Sequence, residues 1–200
     1  MKKKIVITGG LGYIGTELCK LYSGVSWHHE IIVIDNRFFS ERVNQIRNWN
    51  MKFIQGDILD KNLIKKYCKD ANVVHHLAGI TDVPRTKNES SLLQDEKIKE
   101  VGEKGTQNIL DVISNDCKII FPSTHVVYEG INEVKINIKE NDATRPVLSY
   151  SQSKSINENQ LKKSGKNYVI LRLGSVYGYS ADSMRIDIMP NLFSKIASQD

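Results

Sequence analysis

Short apolar runs alternate with longer stretches of helical spacing along most of this 200-residue sequence. The runs carry consecutive Val and Ile residues, as strands buried on both faces do. They predict strands at 4–8, 30–34, 52–55, 73–76, 118–121 and 168–171, and the stretches between them predict helices at 12–23, 60–68, 91–114 and 147–164. This alternation is typical of an α/β fold with a doubly wound parallel sheet and helices on both faces.

The longest predicted helix, 91–114, carries apolar residues at spacings that place them on one face. They are Leu92, Leu93, Ile98, Val101, Ile109, Leu110 and Ile113. We therefore expect a continuous helix with one apolar face. A polar stretch at 132–144 predicts a surface loop, and 190–198 predicts the start of a further helix.

A glycine-rich segment joins the first predicted strand to the first helix, with glycines at 9, 10, 12 and 15. Such glycines allow a tight turn, let the backbone approach a pyrophosphate and let helix and strand pack closely. The start of the helix adds free N–H groups and a positive dipole end. Asp35 follows the second strand, 20 positions beyond Gly15, where a carboxylate accepts hydrogen bonds from the adenosine ribose.

These features predict a Rossmann-type dinucleotide site. The carboxylate of Asp35 would repel a 2′-phosphate, so NAD is favoured over NADP, although Arg37 is close enough in sequence to approach a phosphate. Open α/β sheets bind ligands at the carboxyl ends of their strands. Two further groups of candidate residues follow the third and fourth strands, namely Asp57 with Ile58, and Leu77 with Ala78 and Gly79.

Tyr150 and Lys154 are four residues apart on a predicted helix, so both side chains lie on one face. A phenol normally titrates near ~10 and is a poor base at neutral pH. A nearby ammonium and the positive charge of oxidised nicotinamide would lower the pKa of Tyr150 and let it exchange a proton during hydride transfer. Thr124 follows the fifth strand, where its hydroxyl would hold the reacting substrate oxygen.

The net charge of +5 is carried by scattered Lys and Arg residues, which favours a solvated surface over a nucleic-acid patch. Three cysteines without a Cys-x-x-Cys pair indicate reduced, packed thiols. No apolar stretch has the length of a signal or membrane segment. We therefore expect a soluble cytoplasmic protein without nucleic-acid or membrane partners. The histidines at 28, 29, 75 and 76 lack ligand-spaced carboxylates or thiols, so no metal site is expected.

Together these motifs resemble the extended short-chain dehydrogenase/reductase family and, within it, the NAD-dependent epimerase/dehydratase group. The resemblance covers most of the chain and is carried by residues 8–15, Asp35, Asn36, Asp57, Ile58, 76–79, Gly105, Thr106, Ser123, Thr124, Val127, Tyr128, Tyr150, Lys154, Leu171, Arg172 and 176–178. It implies a catalytic triad of Thr124, Tyr150 and Lys154, nucleotide-sugar substrates, and a homodimer built on the helices 91–114 and 147–164.

The resemblance also implies which residues bind NAD. They are Gly9, Gly12, Tyr13, Ile14, Gly15, Asp35, Asn36, Asp57, Ile58, Leu77, Ala78, Gly79, Tyr150 and Lys154. Candidate substrate contacts are Thr81, His125 and Ser175.

The sequence departs from the family pattern in places. In the family that this chain resembles, the active-site strand of sugar-nucleotide 4,6-dehydratases has the motif Ser-Thr-Asp-Glu-Val-Tyr-Gly. This chain has His125 and Val126 in place of the acidic pair. Related decarboxylases have a similar motif, with a Glu at the position that Val126 occupies in this chain. Both activities are therefore disfavoured, and an epimerase or reductase is favoured. Gly102 and Ser175 each replace a usual Asn.

The sequence thus predicts an NAD-binding Rossmann domain over 1–172 and the incomplete start of a substrate-binding region over 173–200. The favoured function is NAD-dependent epimerisation of a nucleotide sugar through a transient keto intermediate. Two alternatives stay open: a ketoreductase or dehydrogenase with net redox turnover, and a non-catalytic NAD-binding regulatory protein. Retention of Tyr150 and Lys154 weighs against the second alternative.

Overall fold

A computed structural model describes residues 2–81, 91–180 and 184–199. Within them, parallel strands form a six-stranded sheet in the order β3-β2-β1-β4-β5-β6. The strands are β1 Lys4–Thr8, β2 Glu30–Asp35, β3 Lys52–Gln55, β4 Val73–His76, β5 Lys118–Thr124 and β6 Asn167–Leu173. Because β1 pairs with both β2 and β4, the strand order reverses there, and this is where open α/β sheets bind ligands. The predicted doubly wound parallel sheet is confirmed.

Helices flank the sheet on both faces. They are α1 Tyr13–Ser23, α2 Ser40–Asn48, α3 Lys61–Cys68, α4 Leu92–Lys99, α5 Gly105–Val112, α6 Ser149–Lys163 and α7 Met189–Ala197, with a π-helical segment at Glu100–Lys104 and a 3-10 turn at His125–Tyr128. The buried apolar residues form two clusters. In β1, Ile5 and Ile7 belong to one cluster and Val6 to the other, because alternate side chains of a strand point to opposite faces.

Cys19, Cys68 and Cys117 are free and buried. Burial raises the pKa of Cys19 and Cys68 to about 12 and that of Cys117 to about 11. These thiols are therefore packed and protonated, as the sequence predicts. In the parts of the chain that the structure describes, none of the helices is long and apolar enough to cross a membrane.

The helix predicted at 91–114 is helical without a break from residue 92 to residue 112, but its expected apolar face is only partly buried. The π-helical segment Glu100–Lys104 separates α4 from α5, and Leu92 and Leu93 are 84% and 82% exposed. Within α4 itself, a helix of 3.6 residues per turn places Leu92 and Leu93 on a different side from Ile98. The apolar face expected from the spacing is therefore buried only from Ile98 onward.

Two other differences concern polar residues. Helix α2 was not predicted, because in this polar segment Val43 and Ile46 are the buried residues. Strand β5 runs to Thr124, beyond the predicted end, since its last residues are polar although buried. Residues 132–144 contain no helix or strand, in agreement with the predicted loop, and α7 lies within a residue of the predicted 190–198.

Candidate active site

A crevice of about 1160 Å³ lies at the carboxyl ends of the strands. This volume is above the ~300–1,000 Å³ that is usual for small-molecule sites, which suits an extended ligand. All but one of the predicted site residues line it: Gly9, Gly12, Tyr13, Ile14, Gly15, Asp35, Asn36, Asp57, Ile58, Leu77, Ala78, Gly79, Thr81, Thr124, Tyr150, Lys154 and Ser175.

The glycine loop turns tightly between β1 and α1 because two of its glycines leave no room for a side chain. Gly9 has a positive φ of 72°, and a Cβ there would lie 2.6 Å from the backbone nitrogen of Ala78. A Cβ on Gly15 would collide with the carbonyl oxygen of Gly9. Helix α1 starts directly after Gly12, so its first-turn N–H groups face the loop without intrahelical partners.

Asp35 is held at the crevice by two backbone hydrogen bonds. Its Oδ2 accepts from the N–H of Leu11 at 2.9 Å, and its Oδ1 accepts from the N–H of Arg37 at 3.0 Å. The side chain is only 9% exposed, so the carboxylate has a fixed orientation. Arg42, which the sequence reading missed together with α2, also lines the crevice and donates from Nη1 to the carbonyl of Leu11 at 2.6 Å.

A neighbouring pair orders the ends of β2 and β3. Asn36 donates from Nδ2 to Oδ2 of Asp57 at 3.1 Å, and Oδ1 of Asp57 accepts from the N–H of Leu59 at 2.9 Å. Both side chains line the crevice, as predicted for cofactor contacts.

A buried histidine lies beneath the crevice. His76 Nδ1 is 3.0 Å from Oγ1 of Thr8, and His76 Nε2 is 3.0 Å from Oγ1 of Thr106. Thr8 Oγ1 also accepts from the N–H of Ala78 at 3.3 Å. Burial, with a smaller effect from the charge of Lys154, lowers the pKa of His76 to about 3. This neutral histidine therefore ties β1, β4 and α5 together directly below the cofactor residues.

Thr124, Tyr150 and Lys154 approach the other side of the crevice from β5 and α6. The ammonium of Lys154 donates to the carbonyl of Pro122 at 2.8 Å and lies 4.4 Å from the ring centroid of Phe121 and 5.8 Å from that of Tyr150. Burial lowers the pKa of Lys154 to about 8. The spacing of four therefore places the ammonium beside the phenol ring, as expected.

The electrostatic expectation for Tyr150 concerns the site with oxidised nicotinamide bound, and it stays a prediction. Burial raises the pKa of Tyr150 above its ordinary value, and the charge of Arg185 offsets this only in part. In the protein alone, removal of the phenol from water outweighs the opposing charge of Arg185.

His125 is the predicted site residue that does not line the crevice. It starts the 3-10 turn after Thr124, is exposed, and places Nδ1 3.1 Å from the carbonyl oxygen of Leu173. Thr124 Oγ1 accepts from the N–H of Val126 at 3.3 Å and so caps this turn. The chain thus turns away from the crevice immediately after Thr124.

Gly102 lies in the π-helical segment and contacts α6. Its carbonyl accepts from Nδ2 of Asn157 at 3.1 Å, and a Cβ on Gly102 would collide with the hydroxyl of Ser153. The position that usually holds Asn in this group therefore serves here as a close contact between helices.

Comparison with known proteins places the chain in a family. Residues 5–200 match the sequence model of the NAD dependent epimerase/dehydratase family. The chain belongs to this family. The predicted family and its NAD cofactor are confirmed by this match. Solved structures of similar fold confirm the predicted fold.

Three similar proteins illustrate the range. The chain is 28% identical over 197 residues to a dTDP-D-glucose 4,6-dehydratase of Dictyostelium discoideum, covering 88% of this chain and 44% of that protein. It is 34% identical over 149 residues to a CDP-paratose 2-epimerase of Salmonella typhi, covering 68% and 41%. A UDP-glucose 4-epimerase from Brucella ovis in complex with NAD has a TM-score of 0.69 at 28% identity, covering 90% of this chain and 54% of that structure.

The chain spans less than half the length of these two curated relatives. They include a dehydratase as well as an epimerase, so family membership alone is compatible with either reaction.

Proposed function

We propose that this chain forms the NAD-binding part of an enzyme that epimerises a nucleotide sugar. The observation that carries the proposal is the shared crevice, which Thr124, Tyr150 and Lys154 line together with the glycine loop and Asp35. A hydroxyl, a phenol and an ammonium beside a dinucleotide cradle are the groups that alcohol–ketone exchange requires.

The residues present fit NAD. A Cβ at Gly9 or Gly15 would fill the loop, and the fixed carboxylate of Asp35 suits ribose hydroxyls rather than a 2′-phosphate. We propose that the first-turn N–H groups of α1 bind the pyrophosphate, that Asp35 binds the adenosine ribose, and that Lys154 binds the nicotinamide ribose. When bound, NAD would supply the hydride acceptor for oxidation of the sugar carbinol carbon and the hydride donor for its reduction.

The protein side chains would move the proton. The phenol oxygen of Tyr150 takes the proton of the sugar hydroxyl as the carbon is oxidised, and the hydroxyl of Thr124 holds the same oxygen. Because burial raises the pKa of Tyr150, its deprotonation requires the combined positive charges of Lys154 and oxidised nicotinamide. Tyr150 returns the proton to the oxygen when the keto intermediate is reduced.

Epimerisation is favoured over dehydration by the residues after Thr124. Loss of water from a sugar requires an acid and a base beside the reacting carbons. Positions 125 and 126 hold His and Val, and neither side chain lines the crevice. This arrangement supports a reaction that needs proton exchange at a single oxygen.

The substrate region and the assembly complete the proposal. We propose an NAD-binding domain over 1–172 and a substrate-binding region that starts at 173, with contacts from Thr81 and Ser175, which both line the crevice. We also propose a homodimer through the helical stretches 91–114 and 147–164, where exposed Leu92 and Leu93 would be covered. A Leu92→Lys, Leu93→Lys double variant should then sediment as a monomer; a wild-type protein that is itself monomeric would disprove the dimer.

The decisive experiment incubates the protein with NAD and a panel of UDP-, dTDP- and CDP-linked sugars and measures sugar products and NADH. We expect an epimer without net NADH. Tyr150→Phe should lower turnover at least about 100-fold with NAD affinity intact, whereas Tyr168→Phe, at the far end of β6, should not. A stoichiometric change in NADH would indicate a dehydrogenase or reductase. A deoxy-keto sugar product would indicate a dehydratase, and NAD binding without turnover would indicate a regulatory protein.

A further inference from the structure

A third residue of α6 shares the spacing of Tyr150 and Lys154. Glu158 follows Lys154 by four residues, so these side chains follow one another along one helix face. Tyr150 and Lys154 line the crevice, whereas the side chain of Glu158 is only 3% exposed and lies one turn deeper. A carboxylate at this depth requires strong partners.

Glu158 binds two other elements of the sheet. Its Oε1 accepts from the hydroxyl of Ser123 at 2.6 Å and from Nε of Arg172 at 2.9 Å, and its Oε2 accepts from Nη2 of Arg172 at 2.6 Å. Burial acts to raise the pKa of Glu158, but the hydrogen bonds from Arg172 and Ser123 outweigh it and leave the pKa lowered. The ionised carboxylate therefore joins α6 to β5 and β6.

Arg172 extends the connection to the segment that follows β5. Its Nη1 donates to the hydroxyl of Tyr128 and, at 3.0 Å, to the carbonyl of Glu140. The hydroxyl of Tyr128 in turn donates to the carbonyl of Lys139 at 3.0 Å. One ion pair thus connects α6, two strands and the polar loop.

The Glu158–Arg172 ion pair lies close to the proposed catalytic residues, because its partner Ser123 directly precedes Thr124. The carboxylate of Glu158 is hydrogen-bonded to the residue before Thr124, whose hydroxyl is proposed to hold the substrate oxygen. It also lies one helical turn from Lys154, whose ammonium is proposed to bind the ribose. A buried ion pair contributes little net stability compared with apolar side chains of similar size, but its geometry is strict. Catalytic groups displaced by about 1 Å can lose about 100-fold in rate.

We propose that Glu158, held by Arg172, is a positioning residue that sets the rotation and depth of α6 against β5, so that Lys154 and Tyr150 meet the nicotinamide end of NAD. The proposal deepens the proposed function and rests on it for its effect on turnover. Its effect on NAD binding is independent of any sugar substrate.

The test compares two ligands by titration calorimetry. NAD would contact both the glycine loop and Lys154, whereas ADP would contact only the glycine-loop half of the crevice. Glu158→Gln should weaken NAD binding about 5- to 10-fold and change ADP binding by less than about 2-fold. The matched control is Lys162→Gln, because Lys162 reaches Oε2 of the same carboxylate from the solvent side at 3.4 Å. It should leave both affinities unchanged. Equal weakening of both ligands, or of neither, by Glu158→Gln would overturn the proposal.

A double variant separates positioning from stability. Glu158→Leu with Arg172→Met removes both charges and should unfold at about the wild-type temperature, since apolar replacements of a buried pair are often neutral. We expect it to retain the selective loss of NAD affinity. If the double variant had both the stability and the NAD affinity of the wild type, the ion pair would serve only the fold and the proposal would be wrong. The double variant also tests the proposal if Glu158→Gln does not fold.

Turnover gives the second readout. Where a nucleotide sugar is epimerised, Glu158→Gln should lower kcat about 10- to 100-fold with KM nearly unchanged. If the wild-type protein epimerises no sugar, the proposed function fails, while the difference between NAD and ADP still decides the role of Glu158.

Discussion

The half of the crevice under the glycine loop and the half beside α6 are held by different kinds of contact. The first half is made of backbone: Gly9 and Gly15 leave no room for side chains, and Asp35 is fixed by two N–H groups. The second half is made of side chains, and the partners of Lys154 and Glu158 come from β5 and β6.

The difference has an energetic consequence. In the glycine loop the features that would bind NAD are also those that let the chain fold, so binding and stability should fall together. In the α6 half, Lys154 is a half-buried cation whose pKa is lowered to about 8 by its removal from water, so the group proposed for function costs stability. Binding or turnover and stability should therefore oppose each other there.

Lys154→Met should show this opposition with the largest effect. We expect turnover to fall at least about 1,000-fold, since the ammonium is lost. At pH 7 the free energy of unfolding should rise by about 1–3 kcal/mol, because the folded state no longer holds a half-buried charge. The folded pKa of Lys154 is lowered, so between about 8 and 10.5 the unfolded chain binds more protons and the wild-type protein gains stability as pH rises.

The advantage of Lys154→Met should accordingly shrink from pH 7 to pH 10, measured by urea denaturation. Exposed Lys163 on the same helix provides the control, and Lys163→Met should change neither quantity. A Lys154→Met protein that is less stable than the wild type would remove the contrast between the two halves.

Gly9→Ala tests the other half. The added Cβ would press against the backbone of Ala78 at a positive φ, so both stability and the loop geometry should suffer. We expect NAD affinity to fall at least about 100-fold and the free energy of unfolding to fall by about 2 kcal/mol. Gly24→Ala is the control, since Gly24 at the end of α1 is not among the residues that line the crevice and an added Cβ would lie 4.0 Å from its nearest neighbour. NAD affinity is measured by calorimetry and the free energy of unfolding by denaturation, for both variants. If Gly9→Ala lowered only one of these quantities, binding and stability would not be coupled in the glycine loop.

His76 lies where the halves meet and gives a pH test. Its folded pKa is lowered to about 3, so the unfolded chain binds the extra proton below 6.5 and stability is lost as pH falls. The loss from this residue should be about 1.5 kcal/mol between pH 6.5 and 5. His76→Gln should abolish that part of the slope, whereas exposed His28→Gln should retain it. Identical slopes in the wild type and His76→Gln would exclude His76 as the cause.

The same contrast explains what the sequence could predict. The glycine loop and Asp35 could be predicted from the sequence, because a site formed by the backbone needs specific residues at short, fixed spacings. Tyr150 and Lys154 were readable because they lie one helical turn apart. The Glu158–Arg172 pair was not, since Arg172 belongs to another element and its partner is set by the sheet order.

The predictions that were wrong also have physical causes. Leu92 and Leu93 were predicted on a buried face, but at 3.6 residues per turn both lie on a different side of α4 from buried Ile98. His125 was a candidate because it follows Thr124, yet the 3-10 turn carries it out of the crevice. In both cases the local helical geometry decides which side chains share a surface.

The smallest expected effect concerns how α6 begins. Leu148 cannot cap this helix with its side chain; instead Oε1 of Glu129 accepts from the N–H groups of Val147 and Leu148, each at 2.7 Å, and from the hydroxyl of Ser151. A carboxylate at a helix start is favoured by the free N–H groups and the helix dipole. Glu129→Gln should therefore cost about 1 kcal/mol of unfolding free energy in urea denaturation.

Exposed Glu133 in the following loop is the control, and Glu133→Gln should be neutral. If the α6 half depends on side-chain contacts, Glu129→Gln should also reduce turnover by a few-fold, while ADP binding in the glycine loop stays unchanged. A variant that loses ADP affinity as well would mean that the start of α6 supports both halves, because the glycine loop would then depend on a side chain more than a hundred residues away in sequence.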